Sequence, residues 1–370
     1  MYHEYDDLTC LLALSFVKDI GPVTAKKLLS HFRSPRKIFE VGLAGLMAVE
    51  DVSNSRAEAI RDFDGWERVE KEKRAIKQLN INIIKYTDND YPETLRQLDD
   101  APVLLFTKGT LIAEDRYAVA MVGSRKMTAY GSYMANRISA DLAACGITVV
   151  SGMARGIDTV SHKGALRAGG RSIAVLGCGL DTPYPPENRE LFGELGLSGC
   201  VISEFPVGTP PNRENFPRRN RLISGLSMGV VVVEAAMDSG SLITAHYALE
   251  QNKEVFAVPG PVTSHFSEGT NELIRKGARL VRKAEDILEE LSPQIKGLMR
   301  SGERAVCHPP QLEINDEEKA ICSILEGGPR HVDIIARELA MPPSQLSGLL
   351  LGLEIKGLVR KTEGNNFYIR

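Results

Sequence analysis

The chain has 370 residues, with 45 lysines and arginines against 48 aspartates and glutamates, for a formal net charge of −3. This length predicts two or three domains rather than a single core. The near-neutral charge excludes capture of nucleic acid by the protein surface as a whole, so any such binding must come from a local basic patch. No apolar stretch reaches transmembrane length, and no basic leader precedes the short apolar run at 11–17.

The six cysteines are scattered, without a Cys-x-x-Cys pair and without histidines at metal-ligand spacing. This distribution predicts reduced, mostly buried thiols in a cytoplasmic protein. It also predicts that the protein has no structural metal.

Residues 1–75 are predicted to form a helical domain of the helix-hairpin-helix or SAM-like type. The segment 20–32, IGPVTAKKLLSHF, is similar to a helix-hairpin-helix motif, in which amides at a helix N-terminus hold a DNA phosphate. Asp19 replaces the usual glycine, and the second copy near 51–55 lacks glycine. The motif therefore leaves both DNA contact and a packing or partner-contact role open.

Residues 76–291 are predicted to form an extended Rossmann-like domain. Its predicted strands lie at 81–86, 103–106, 118–122, 147–150, 172–176, 201–203, 230–233 and 255–258. From residue 117 onward these apolar strands alternate with amphipathic helical segments. That alternation is typical of a parallel sheet covered on both faces.

Two of the strands end in glycine-bearing turns that each carry an arginine. Arg125 follows Gly123, and Arg155 lies between Gly152 and Gly156. Ligands of such sheets bind outside the carboxyl ends of the strands, so both guanidinium groups are expected beside backbone that a ligand can approach closely. The two turns predict an anion site.

The familiar nucleotide motifs are absent from the sequence. There is no G-x-x-x-x-G-K-[ST] and no G-x-G-x-x-G. The 147–150 strand also lacks the acidic residue at its end that would bind the ribose hydroxyls of a dinucleotide. NAD and ATP are disfavoured, and no cofactor is predicted. Asp158 and His162 share a helix face, but no nucleophile completes an acyl-transfer set, so they are read as a helix cap and a satisfied histidine.

The segment 213–221, RENFPRRNR, is predicted to be a basic loop that borders the same crevice. Phe216 lies within it, and Tyr184 lies on another loop of that edge, as candidate stacking platforms for bases. A cationic groove with stacking faces suits several phosphates in a row, as in single-stranded DNA. The cations expected to contribute are Lys126, Lys163, Arg213, Arg218, Arg219 and Arg221.

Residues 292–314, with three prolines, are predicted to be a linker, and 315–370 a winged-helix domain of three helices and a terminal hairpin. The last segment has seven basic and eight acidic residues. Its predicted recognition helix exposes no basic residue before Lys356. DNA reading and protein contact therefore both remain open.

The motifs GSRK (123–126), SGMARGID (151–158), ISEFPVGTPPNRENFPRRNRLISGLS (202–227) and VVVEAAMDSGSLITA (231–245) strongly resemble the DprA/Smf family of DNA-processing proteins. The resemblance covers about 81–291, and the flanking domains resemble those of three-domain members. It implies a non-enzymatic single-stranded DNA-binding protein that protects incoming strands during natural transformation, loads the RecA recombinase in DNA recombination and forms homodimers. By that likeness the strand-binding pocket contains Gly123, Ser124, Arg125, Ser151, Gly152, Ala154, Arg155 and Gly156.

Two alternatives remain. A Rossmann-like core also resembles nucleoside-monophosphate phosphoribohydrolases, although DSGSLITA (238–245) alters their Gly-Gly-x-Gly-Thr loop. A duplex-DNA regulator acting through the winged helix would require tight duplex binding by 315–370 alone.

Overall fold

The computed structural model of the chain describes residues 5–299, 316–325, 330–339, 341–342, 345–346, 348–350, 353, 359–362 and 366–369. The chain divides into two compact units, 1–307 and 308–370. Among the described helices, none is long and apolar enough to cross a membrane.

The first unit begins with six helices, as the sequence predicts for this region. They are α1 (Asp7–Phe16), α2 (Pro22–Phe32), α3 (Pro35–Glu40), α4 (Leu43–Met47), α5 (Asn54–Arg61) and α6 (Trp66–Gln78). Asp6 caps α1 by accepting a hydrogen bond from Thr9 N over 2.7 Å. Pro22 opens α2, where a missing N–H costs nothing.

These helices share a hydrophobic core with the sheet that follows. One apolar cluster contains Leu28 of α2 together with Leu176 and Leu191 of the later sheet region. The Glu72 carboxylate of α6 accepts a hydrogen bond from Val207 N over 2.7 Å, and burial raises the pKa of Glu72. The helices of the predicted domain 1–75 therefore pack onto the residues of 76–291 within one compact unit.

In the described part of the first unit, nine strands form one sheet. They are β1 (Asn82–Lys85), β2 (Leu104–Gly109), β3 (Ala118–Val122), β4 (Thr148–Ser151), β5 (Ser172–Leu176), β6 (Cys200–Ser203), β7 (Gly229–Val232), β8 (Glu254–Ala257) and β9 (Arg279–Leu280). Their order is β1-β2-β6-β5-β4-β3-β7-β8-β9. All neighbours from β6 to β9 are parallel, whereas β1 pairs antiparallel with β2 and β2 pairs antiparallel with β6. The predicted parallel sheet is confirmed.

Helices cover both faces of the sheet. They are α7 (Glu93–Arg96), α8 (Ala129–Ala144), α9 (Ile157–Arg167), α10 (Arg189–Ser198), α11 (Asn215–Gly225), α12 (Gly240–Glu250), α13 (Glu268–Arg275) and α14 (Ala284–Met299). Val119 of β3 packs in one cluster with α8, α9 and α14, whereas Ala120 packs in another with α11 and α12. Because the helices after β3 and β7 lie on opposite faces, a crevice opens between these two strands.

Two predicted segments differ in the structure. Helix α14 continues to Met299, so the first residues of the predicted linker 292–314 are helical; the rest of that segment lies outside the described residues. The predicted loop 213–221 becomes helical from Asn215, the start of α11. Pro217 is tolerated there because the first turn of a helix leaves its N–H groups unbonded.

The second unit has its own small core. Its described elements are α15 (Asp316–Leu325), β10 (Arg330–His331), α16 (Val332–Glu338), β11 (Val359–Thr362) and β12 (Asn366–Ile369). The strands are ordered β10-β12-β11, and Ile321, Ile335 and Phe367 pack together. The terminal hairpin is as predicted, whereas β10 was not expected. Within the predicted helix at 344–355, the described residues 345–346, 348–350 and 353 are helical, and the others lie outside the described residues.

Candidate nucleic-acid interface

The turns that follow β3 and β4 touch each other at the carboxyl edge of the sheet. Ile157 N donates to Ser124 O over 3.2 Å. Gly156 has a φ of 77°, and a Cβ there would lie 2.2 Å from the same oxygen. Glycine is therefore required for both conformation and space. This contact brings Arg125 and Arg155, one on each turn, to the same edge.

The first turn is also attached to the end of β7. Ser124 N donates to Glu234 O over 2.8 Å. A Cβ on Gly123 would lie 2.7 Å from the side chain of Ile157. The turn is thus held between β7 and α9, while Arg125 and Lys126 extend from it as exposed side chains.

The second turn is organised by the buried carboxylate of Asp158. This group accepts hydrogen bonds from Gly152 N at 3.1 Å and Ala154 N at 3.2 Å. Burial raises the pKa of Asp158 to about 6, although the nearby charge of Arg219 and the two amide donors oppose that shift. The turn is therefore formed before any ligand arrives.

Four side chains form a row across the two turns. The Arg125 guanidinium lies 5.3 Å from the centre of the Phe216 ring, and the Phe216 and Tyr184 rings lie 5.8 Å apart. Arg155 follows beside Tyr184, and its Nε donates to Glu187 Oε1 over 2.5 Å. Glu187, and after it Tyr184, raise the pKa of the Arg155 guanidinium. We call Arg125, Phe216, Tyr184 and Arg155 the rim.

The two cations of the rim are exposed, and its two aromatic rings are half-buried. The side chain of Arg155 is 52% exposed and that of Glu187 is 56% exposed. An exposed ion pair is weak in water, so an incoming phosphate can compete with Glu187 for Arg155.

Arg219 does not contribute an exposed cation, contrary to the sequence-based expectation. It is buried, and its guanidinium donates to Gly152 O over 2.7 Å and to Val175 O. Burial lowers its pKa to about 10, while Asp158 opposes the shift. A Cβ on Gly152 would lie 2.7 Å from this guanidinium. Arg219 supports the second turn from below.

Arg221 is also buried and paired internally. It lies 3.0 Å from Asp100 and 2.5 Å from Glu204. Burial raises the pKa of Glu204, and Arg221 opposes that shift. The predicted basic cluster therefore loses two of its four arginines to internal contacts, for which the sequence gives no local signal because the partners are distant.

Ser151 is another predicted site residue that the sheet buries. Its hydroxyl donates to Met121 O over 2.6 Å, which joins β4 to β3. The side chain is therefore unavailable to a ligand.

The remaining predicted cations are exposed but spread out. Arg218 lies 5.4 Å from the Phe205 ring centre, and Arg213 precedes α11. Lys163 lies on the second turn of α9 and lines a separate groove against α8. The structure thus brings Arg125 and Arg155 together and leaves Lys163 outside the rim.

The carboxyl edge also contains a pocket of about 540 Å³ at the crevice between β3 and β7. Glu234 lines it, but its carboxylate is occupied by Thr128, whose N donates over 2.9 Å. Tyr130 closes one side by donating to Pro259 O over 2.8 Å. The sequence analysis did not predict this pocket.

Asp158 and His162, which the sequence analysis reads as non-catalytic, both make structural contacts. His162 is buried, its Nδ1 lies 2.7 Å from Ser172 Oγ, and burial lowers its pKa to about 3. It is therefore neutral near pH 7, although Nε2 has no partner. Ser239 caps α12. Within the described residues, no cluster of three potential metal ligands occurs.

The lysines of the helix-hairpin-helix segment are engaged within the chain. Lys26 Nζ donates to Leu98 O over 2.7 Å, and Lys27 pairs with Glu50 at 3.0 Å. In this arrangement both cations support packing of the N-terminal helices.

Fold and site together define a Rossmann-like protein with a cationic and aromatic rim, a helical N-terminal region and a winged-helix C-terminal region. The chain belongs to the DNA recombination-mediator protein A family, which matches residues 82–292. The SAM-like helix-hairpin-helix tandem matches 11–63 and the DprA winged helix domain matches 307–365. The family resemblance seen in the sequence is confirmed.

Individual relatives agree with this assignment. The chain is 41% identical to protein Smf of Escherichia coli over 80% of this chain and 79% of that protein. The crystal structure of DNA processing protein A from Streptococcus pneumoniae matches with a TM-score of 0.66 and 35% identity, over 76% of this chain and 95% of that one. DNA processing protein A from Helicobacter pylori, whose structure was described for its single-stranded DNA binding mode, matches with a TM-score of 0.53 and 29% identity, over 58% and 96%.

Proposed function

We propose that this protein binds single-stranded DNA at the rim and acts as a recombination mediator in natural transformation. The observation that carries the proposal is the contact between the two glycine turns, which aligns Arg125 and Arg155 with two aromatic rings between them. Ring faces flanked by cations suit a strand whose bases are free to stack.

The charge distribution supports a local site. With a net charge of −3, the chain lacks a general attraction for DNA, so binding must depend on the few exposed cations near the rim. A duplex hides the faces of its bases, and Phe216 and Tyr184 would then contribute little. The family assignment and the single-stranded DNA described for the Helicobacter pylori relative support the same conclusion.

The test is anisotropy of a labelled oligothymidine across a salt series, with a matched duplex. Arg125→Ala and Arg155→Ala should each lower the salt slope by about 0.7 and weaken binding to every sequence alike. Arg116→Ala is the matched control, because Arg116 is exposed just before β3, at the opposite edge of the sheet. Equal slopes for the rim variants and the control would overturn the proposal.

We also propose that the bound strand is handed to RecA, that the protein works as a homodimer, and that it is not an enzyme. The buried thiols Cys10, Cys178 and Cys200 support action in the reducing cytoplasm. RecA filament assembly on strands coated with a single-strand-binding protein should accelerate when this protein is added. Sedimentation should give twice the chain mass, and incubation with nucleoside monophosphates should release no free base.

A further inference from the structure

A groove of about 510 Å³ runs between α8 and α9. Helix α8 contributes residues at the spacing i, i+3, i+4 and i+7, and α9 contributes three more at a matching spacing. These residues are Ala129, Ser132, Tyr133 and Asn136 from α8, and Val160, Lys163 and Arg167 from α9. One face of each helix therefore forms each wall.

The groove is positively charged. Lys163 and Arg167 are both exposed, and no carboxylate is among the described residues that line it. On α8, Asp141 lies 3.8 Å from Arg137, outside the lining. On α9, Asp158 is buried beneath the second turn. The two cations therefore face solvent without a neutralising acid in the groove wall.

The groove also presents an aromatic face. Tyr133 is 40% exposed and lies in the wall beside the two cations. Only Ala129 and Val160 contribute apolar side chains to the lining. The core of a protein-protein interface is more apolar than this and is depleted of charged residues. Cations with one aromatic ring and polar Ser132 and Asn136 are instead typical of a path for single-stranded nucleic acid.

The groove lining follows the two rim turns closely along the chain. Ala129 follows Arg125 by four residues and Val160 follows Arg155 by five. The lining then extends seven residues along α8, which is about 10 Å at 1.5 Å per residue. That length corresponds to about three stacked nucleotides at 3.4 Å each.

We propose that this groove is a second segment of the strand path, which receives the nucleotides next to those on the rim. Lys163 and Arg167 contact phosphates, and Tyr133 stacks on a base. The proposal rests on the proposed function, because it extends a strand that the rim already holds.

The experiment measures the affinity of the full chain for oligothymidines of increasing length. Tyr133→Ala and Arg167→Ala should bind the shortest oligothymidines like the wild type, because these occupy the rim alone. Tyr133→Ala should bind longer ones about tenfold more weakly, the loss expected for one stacked base, and Arg167→Ala should also bind them more weakly because it loses a phosphate contact. Arg167→Ala should also lower the salt slope for long oligothymidines by about 0.7.

Two variants serve as matched controls. Tyr133→Phe keeps the ring and should keep the wild-type affinity, which separates stacking from any role of the hydroxyl. Arg116→Ala removes an exposed arginine just before β3, at the opposite edge of the sheet and outside the groove lining, and it should leave the slope unchanged.

The outcomes separate the two proposals. If the wild type binds, the rim variants weaken binding and the groove variants match the wild type at every length, the groove proposal is overturned and the rim stands. If the groove variants change the sedimentation of the protein but not its strand affinity, the groove is a subunit contact and the proposal is again overturned. If the wild type binds no single strand at all, both proposals fail.

Discussion

Arg218 and Arg219 are adjacent in sequence but differ in environment. Arg218 is exposed, whereas Arg219 is buried and donates to two backbone carbonyls beneath the second turn. Removing a buried donor leaves its acceptors without partners, which is costly. Arg218 therefore presents its charge to solvent, whereas Arg219 stabilises the second turn from inside the protein.

Substitution should separate these roles. Arg219→Ala should lower the free energy of unfolding by about 3 kcal/mol, because two carbonyls lose their donor and the buried Asp158 loses a nearby positive charge. Arg218→Ala should change it by less than about 0.5 kcal/mol. Urea denaturation of both variants measures the difference. Equal stabilities would show that the buried contacts of Arg219 contribute nothing.

His162 should make stability depend on pH. Its pKa is about 3 in the folded protein and 6.5 when unperturbed, so the unfolded chain alone takes up a proton below pH 6.5. The contribution of His162 to the free energy of unfolding is therefore complete above pH 6.5. It falls as the pH drops towards 3, with a slope that approaches about 1.4 kcal/mol per pH unit. Asp158 acts in the opposite sense between pH 6 and 3.8, because its folded pKa is raised to about 6.

The comparison that isolates the histidine is wild type against His162→Gln. Glutamine keeps a partner for Ser172 and does not titrate, and the contribution of Asp158 cancels in the difference. Chemical denaturation from pH 7 to 4 should show the wild type losing stability relative to the variant. A difference that is constant with pH would contradict the buried neutral state of His162.

At the scale of the elements, the two arginine turns depend on one glycine. Gly156→Ala would force a Cβ to within 2.2 Å of Ser124 O, in addition to the strain of its positive φ. Gly169 also has a positive φ, of 73°, but no atom lies within 4 Å of its Cβ position. The pair therefore separates backbone strain from displacement of the turns.

Gly169→Ala should lower stability by about 1 to 2 kcal/mol and leave strand binding intact. Gly156→Ala should lower stability further and weaken binding to oligothymidine by about tenfold or more, because Arg125 and Arg155 move apart. Thermal unfolding and anisotropy on the same samples measure both effects. Binding by Gly156→Ala equal to that by Gly169→Ala would show that the contact between the turns is unnecessary.

The elements differ in how far the sequence could predict them. Strands β3 and β5 were predicted at their observed bounds, because apolar runs between Gly-bearing turns are a local signal. Helix α11 was predicted as a loop because its first two turns contain Pro217 and three of the four arginines of 213–221. The two-residue strands β9 and β10 carry no periodicity, and their existence depends on the neighbours with which they pair.

In the site, too, local sequence patterns could be predicted, whereas contacts between distant residues could not. The turns around Arg125 and Arg155 could be located from glycine spacing after strands. The burial of Arg219 and Arg221 could not, because Gly152, Asp100 and Glu204 lie far away in sequence and only the fold brings them near.

At the scale of the whole molecule, the rim and the groove belong to one unit, residues 1–307. The second unit has its own core and carries seven basic against eight acidic residues in 315–370. Its net charge offers little attraction for phosphate. The proposed strand binding therefore lies in the first unit.

A chain truncated after residue 307 should therefore bind oligothymidine with an affinity within about twofold of the full chain and with the same salt slope, because the phosphate contacts are unchanged. Anisotropy on both chains measures this, and thermal unfolding of the truncated chain shows whether its core is intact. The Arg125→Ala/Arg155→Ala double variant, made in both backgrounds, should lose the same factor in each. A loss of affinity greater than about tenfold on truncation, with the fold intact, would assign part of the strand contact to the winged helix.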